Sequence, residues 1–153
     1  MTSEISIRKL QKEDLTGLKE LYKDAFNSET DEDKMLEVFS RIESDDDYIV
    51  LCALAEETVI GSVLGVVCHE LIGKCTPFLV IEDVAVLSTH RRLGVAKKLM
   101  LEIESRARLK KCNMILFVSS EHRTGAHQLY ESLGYASDKV NGYRKRLTYE
   151  YNE

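Results

Sequence analysis

Three groups of residues carry the types and spacing that chemistry needs. Glu82 and Asp83 are adjacent acids inside an otherwise apolar run, "FLVIEDVAVL". Carboxylates in such surroundings have their ionisation shifted by the loss of water, and shifted groups gather at functional sites. A few residues on, "STHRRLGVAKKLM" places Arg91, Arg92 and Lys97 around Gly94 and Ala96, where the apolar run gives way to a helical period. The start of a helix exposes unpaired N–H groups and the positive end of the macrodipole, so small residues flanked by bases there form a cradle for a phosphate or pyrophosphate. An ordinary basic loop entering a surface helix has the same composition. The stretch matches neither G-x-x-x-x-G-K-[ST] nor G-x-G-x-x-G, which removes support for nucleoside-triphosphate and dinucleotide sites. The third group, Tyr130 with His127, His122 and Arg123, lies in "HRTGAHQLYESLGY". By default a tyrosine or a single histidine on a short amphipathic helix is a packing residue.

The elements that must position these residues follow from periodicity. "ISIRKL" alternates as a strand does. "DLTGLKELYKDAFNS" puts Leu15, Leu18, Leu21, Tyr22, Ala25 and Phe26 on one helical stripe with Asp14 as its cap, and "DEDKMLEVFSRIES" repeats the period through Met35, Leu36, Phe39 and Ile42. Residues 48–71 are β-branched and apolar, broken at "EET" and Gly61, and predict two antiparallel strands. Phe78 to Leu87 is a further strand. Val95 to Leu109 is a long amphipathic helix with Val95, Ala96, Leu99, Met100, Ile103 and Ala107 on its apolar face. "MILFVSS" predicts a buried strand, "GAHQLYESLG" a short helix closed by Gly134, and "GYRKRLTYEY" a last strand. The order βααβββαβαβ implies one mixed α/β domain over residues 1–153, without repeats or linkers.

Composition narrows the function. The 153 residues suffice for one core, since a domain of this size buries roughly 70% of its unfolded surface. No apolar run could span a bilayer, and "MTSEISIRKL" lacks the zones of a signal peptide, so a soluble, cytoplasmic protein without a membrane partner is expected. Cys52, Cys68, Cys75 and Cys112 form no C-x-x-C pair and have no histidine at zinc spacing, so they read as reduced structural cysteines, with no metal site. The net charge of −5 argues against a general nucleic-acid partner. The charge is uneven: residues 1–60 carry −9 and the remainder +4, which suits the second part to an anion. "SETDED" and "ESDDD" read as helix capping and solvated loop. "NSETDED" could also rim a pocket for a polycationic amine.

Arg91, Gly94 and Ala96, as R-x-x-G-x-A between a strand and a long helix, resemble the acyl-CoA signature of the GNAT superfamily of N-acetyltransferases. The element order and "AHQLYESLGY", an alanine and then a tyrosine on a short helix ending in Gly-aromatic, resemble it too. Within the superfamily, "HRTGAHQLYESLGY" and "GYRKRL" are most similar to an aminoalkylphosphonate N-acetyltransferase-like group, and "VIEDVAV" resembles glucosamine-6-phosphate N-acetyltransferase.

The resemblance implies a largely antiparallel sheet flanked by helices, acetyl-CoA as acyl donor, and a primary amine of a small molecule as acceptor, attacked directly in a ternary complex. It implies that the amides of Arg92, Leu93, Gly94, Val95, Ala96 and Lys97 hold the pyrophosphate beside Arg91. The backbone of Val84, Ala85 and Val86 would pair with the pantetheine arm as with a strand. Many members carry asparagine seven residues before the signature tyrosine; here that position is Arg123, a CoA-side or acceptor-side contact together with His122 and His127. Acetyl transfer also needs a neutral amine. At pH 7 an amine of pKa ~10.4 reaches that form at about 4.6 kcal/mol. Glu82 and Asp83 are the candidates to take its proton through water, with Glu82 favoured because strand alternation puts it on one face with Val84 and Val86. A bulge would break that alternation. Tyr130 is the candidate acid for the departing thiolate. A protein N-terminal or lysine acetyltransferase and a non-catalytic acyl-CoA-binding domain are the alternatives. The resemblance allows a homodimer, although no residue pattern marks an interface.

Overall fold

The computed structural model describes residues 4–119, 124–136 and 138–148. They divide into two compact units, Met1–Phe117 and Val118–Glu153.

The first unit is a five-stranded sheet in chain order: β1 (Ile5–Lys9), β2 (Tyr48–Ala55), β3 (Thr58–Cys68), β4 (Phe78–Val86) and β5 (Ile115–Leu116). The first three pairings are antiparallel and β4–β5 is parallel. Helices α1 (Leu15–Phe26) and α2 (Glu32–Ile42) follow β1, and α3 (Val95–Leu109) links β4 to β5. The expected stripe of α1 reaches the core: Leu18 and Leu21 are buried, and Leu15, Tyr22, Ala25 and Phe26 pack around them with Phe39 of α2 and with Val50, Cys52, Leu54, Val59 and Ala85 of the sheet. Of the α2 stripe, Leu36 is exposed.

On the opposite face α3 buries Val95, Leu99, Met100, Ile103 and Ala107. Two glycines of β3 let it come close. A Cβ at Gly61 would stand 2.8 Å from Val95 Cγ1 and 3.1 Å from Leu99 Cδ1, and one at Gly65 would stand 2.7 Å from Ile103 Cδ1. Those separations lie inside van der Waals contact, so only glycine lets the helix seat at this depth.

Asp14 does not cap α1 with its side chain. Its carboxylate instead takes two hydrogen bonds from Arg8, at 2.6 and 2.9 Å, and a third from the Gln11 amide at 2.8 Å. The acids of residues 29–33 do serve α2 and α1. Asp31 caps α2 through the Lys34 amide, Glu29 pairs with Lys23, and Glu32 pairs with Lys19.

The second unit contains α4 (Thr124–Ser132), which ends in a Schellman motif: Tyr135 N–H donates to Tyr130 C=O, Gly134 N–H donates to Glu131 C=O, and Gly134 takes φ +99°. Two expectations change. The strand expected over "MILFVSS" is two residues long, and residues 142–148 of the expected last strand form none. Those residues are exposed, and alternation becomes a strand only where a partner edge receives it.

Candidate active site

The site is built where β4 breaks its register. Leu64 of β3 pairs with Glu82, and Ser62 pairs with Ala85, so Asp83 and Val84 together oppose Val63. One extra residue is therefore inserted, a β-bulge, and Asp83 takes φ +54° to absorb it. An L-residue in the left-handed region is strained, and asparagine and aspartate are among those that tolerate it best. The bulge corrects the alternation expected for Glu82. Its companion on the α1 face is Ala85, while Val86 pairs with Gly61, whose Cα faces α3.

Glu82 and Asp83 both keep solvent-accessible surface, yet the protein around them raises both carboxyls above the ordinary range. Loss of water is the main cause for Glu82, with the neighbouring Asp83 charge adding to it, and loss of water alone acts on Asp83. Tyr22 of α1 lies in the field of Asp83 and beside Ser62. Burial first, and then the Asp83 charge, push its phenol up to about 12, with Ser62 opposing them. Ser62 is fully buried and donates to the Leu51 carbonyl at 3.0 Å. Tyr22 and Ser62 escaped the sequence reading because one sits on an apolar stripe and the other in an apolar strand. The Cys52 thiol, buried near Asp14, is pushed up to about 12, so it offers no thiolate nucleophile.

Beyond the bulge β4 has a free side. The parallel ladder with β5 covers only Leu79 and Val80, so among the described residues no strand pairs with Val84, Ala85 or Val86 on that side. An extended amide chain can add to such an edge.

The cradle follows directly. Leu87 N–H donates to Ile60 C=O, Ser88–His90 form a 3-10 turn, and Arg91 is extended. Arg92 and Gly94 are left-handed at φ +64° and +79°, and α3 begins at Val95. Gly94 is the N-cap and has no side chain to offer the first turn, so no cap side chain masks the amides of Val95, Ala96 and Lys97. Nothing lies within 4 Å of a Cβ built on Gly94; its glycine requirement comes from the positive φ, and the space above it is open. Arg91, Arg92, Leu93 and Lys97 are exposed around this turn. Val95 rests on Gly61, and Gly61 pairs with Val86. The close seat of α3 therefore sets the cradle beside the free part of β4.

A carboxylate that sequence reasoning missed holds the approach to the cradle. Asp24, on the polar side of α1, accepts from Ser88 N–H at 2.7 Å and Ser88 Oγ–H at 2.8 Å.

Tyr130 lies in the second unit, half-buried, with its ring edge-on to Tyr135 at 6.4 Å between centroids. His127 is half-buried on the same helix, while His122 and Arg123 lie outside the described residues. Among the described residues no group of three His, Cys, Asp or Glu could hold a metal ion, and no helix is long and apolar enough to cross a membrane.

Comparison with known proteins agrees with this geometry. Residues 15–135 match the model of the acetyltransferase (GNAT) family. An aminoglycoside N(6')-acetyltransferase type 1 of Salmonella typhimurium is 28% identical over 97 residues, covering 61% of this chain and 67% of that protein. An aminoglycoside N-acetyltransferase solved in complex with CoA superposes with a TM-score of 0.78 at 26% identity, over 95% of this chain and 97% of that one. For the fold, glucosamine-6-phosphate N-acetyltransferase from Arabidopsis thaliana gives a TM-score of 0.80 at 19% identity, over 95% and 99% of the two chains. With an open strand edge, an unmasked helix start and a match running through both, the chain belongs to the acetyltransferase (GNAT) family and is an acetyl-CoA-dependent N-acetyltransferase.

Proposed function

We propose that the acceptor is a primary amine of a small, polycationic molecule, acetylated by direct attack in a ternary complex on one domain spanning residues 1–153. The observation that supports this reading is the bulge, which interrupts β4 at two adjacent carboxylates, one of them, Asp83, with its charge felt at Tyr22 of α1. Relatives that are aminoglycoside acetyltransferases support the same class of acceptor. The family match also runs across the boundary between the two compact units, which supports the single domain. The acids of the α1–α2 segment add less, because Glu29, Asp31 and Glu32 are already engaged.

In this reading the ammonium approaches Glu82 and Asp83, and raised carboxyl pKa values narrow the gap to the amine and make better proton acceptors. One carboxylate takes a proton from the ammonium, directly or through water, the neutral nitrogen attacks the thioester carbonyl, and the second proton it loses as the amide forms replaces the one Tyr130 gives to the thiolate. The C–S bond breaks as the tetrahedral oxyanion collapses, and the thiolate leaves. Tyr130, as the matching tyrosine of the family's second signature, supplies the proton that makes it a thiol. Backbone amides of residues 92–97 hold the pyrophosphate with Arg91, and Val84–Val86 hold the pantetheine arm. Arg123 is a further contact to the donor.

Thiol release from acetyl-CoA, measured across aminoglycosides, polyamines, aminoalkylphosphonates and peptides, tests the reading. Turnover with polycationic metabolites is expected. Turnover confined to peptides would replace it with a protein acetyltransferase, and a donor bound without any turnover would point to a sensor.

A further inference from the structure

The cradle's position depends on a segment of backbone that has few internal supports. Between the end of β4 and the start of α3 the chain runs from Leu87 to Gly94, and two of those residues adopt left-handed backbone. Fixing each residue of such a segment opposes about 1–2 kcal/mol of conformational entropy. The segment's first half is pinned at two places. Leu87 N–H bonds the sheet through Ile60, and Ser88 bonds α1 through Asp24. The Asp24 contact is doubled, since one carboxylate oxygen takes the backbone hydrogen and the other takes the hydroxyl hydrogen, which fixes both the position and the χ1 angle of Ser88.

We propose that Asp24 is a positioning residue for the acyl donor: by holding Ser88 it sets the path of residues 88–94, and so the direction in which the amides of Val95, Ala96 and Lys97 point. This inference rests on the reading that those amides receive the pyrophosphate. The two bonds from Ser88 hold the Asp24 carboxyl below the ordinary range, with help from the charge on Arg91, so Asp24 is ionised at neutral pH. An acid near a phosphate seat disfavours an anionic ligand by charge alone. The doubled bond gives a geometric reason for its presence, and shape and charge make opposite predictions for its removal.

The test uses the full chain with acetyl-CoA as the varied substrate, CoA binding by calorimetry, and amide hydrogen exchange over residues 88–94 without ligand. For Asp24→Ala we expect the KM for acetyl-CoA and the Kd for CoA to rise together by about tenfold, kcat to stay within about twofold, and exchange to quicken, as the loss of charge-assisted hydrogen bonds implies. Ser88→Ala keeps the backbone bond and should raise KM by roughly threefold; it carries the test if Asp24→Ala fails to fold. Asp24→Asn, which retains one acceptor oxygen, should fall between Asp24→Ala and the unaltered protein. Tighter CoA binding in Asp24→Ala, or a fall in kcat with KM unchanged, would overturn the inference. CoA affinity that responds to Gly94→Ala but not to Asp24→Ala would remove Asp24 alone. Affinity indifferent to both would remove the pyrophosphate assignment, and this inference with it.

Discussion

Leu64 sits opposite Glu82 in the β3–β4 ladder, and one residue later on β4 the register has slipped. That slip is the origin of the site. It falls at two adjacent carboxylates, and it ends the regular alternation of β4 beyond the last residue that β5 pairs.

Glu82→Gln should lower kcat by about a hundredfold, the usual scale for a lost general base, while the KM for acetyl-CoA moves less than twofold. Steady-state kinetics with saturating amine measures both. An unchanged kcat would take Glu82 out of the proton path.

Asp83→Gly should separate stability from activity. Glycine relieves the left-handed strain at φ +54° and removes a carboxylate raised by loss of water, so the melting temperature should rise, by the equivalent of about 1 kcal/mol. Turnover should fall if Asp83 shares the base role. Asp83→Val, which keeps the strain and adds β-branching, should lower the melting temperature instead.

The acid limb of the rate profile follows from the same two groups. Each carboxyl titrates above its ordinary value of about 4, so activity should decline from a higher pH than an ordinary carboxylate would give as the solution is acidified. The stability effect of these groups has the opposite sense to that of a paired acid. With folded pKa values raised, they bind protons more tightly in the folded chain, and stability falls as pH rises through the interval between the unfolded and folded values. Asp14 does the reverse. Arg8 holds its carboxyl below the ordinary range, so the stability it adds is present above the unfolded value and is lost as pH falls through the folded one. Chemical denaturation between pH 3 and pH 7, roughly the carboxylate range, compared with Asp14→Asn, measures that contribution.

Gly61→Val should be severe for a different reason. Its side chain would meet Val95, Leu99 and the Ala85 carbonyl, two of them on the helix that carries the cradle. Overpacking of this kind costs about 1–3 kcal/mol. A drop in melting temperature with weakened CoA binding is expected; normal binding in a folded variant would show that the seat of α3 does not set the cradle.

Much of the scaffold was legible before any coordinates, because it rests on periods. The stripes of α1 and α3, the paired strands of residues 48–68 and the basic turn before Val95 each have a signature in residue order. The bulge has none here. A glycine at 83 would have announced a left-handed residue, whereas an aspartate in "VIEDVAV" reads as regular strand, and regular alternation puts Val86 on the face opposite to the one it takes. Tyr22 was legible only as core, since the stripe that buries its ring also brings its hydroxyl beside Ser62 and into the field of Asp83. Asp24 and Ser88 are 64 residues apart, and no local pattern announces a bond between a polar helix face and a distant loop. "GYRKRLTYEY" shows the opposite failure, an alternating pattern that residues 142–148 do not convert into a strand.

The side of β4 that no described strand pairs also bears on solubility. An unpaired strand edge is a template on which a second chain can add and begin to aggregate. Proteins blunt such edges with bulges and charged residues, and β4 carries both where its partner ends: a left-handed Asp83 that spoils the register an incoming strand would need, and two adjacent negative charges that repel its copy on another molecule. Glu82 and Asp83 thus oppose the addition of a second chain along the part of β4 that no described strand pairs.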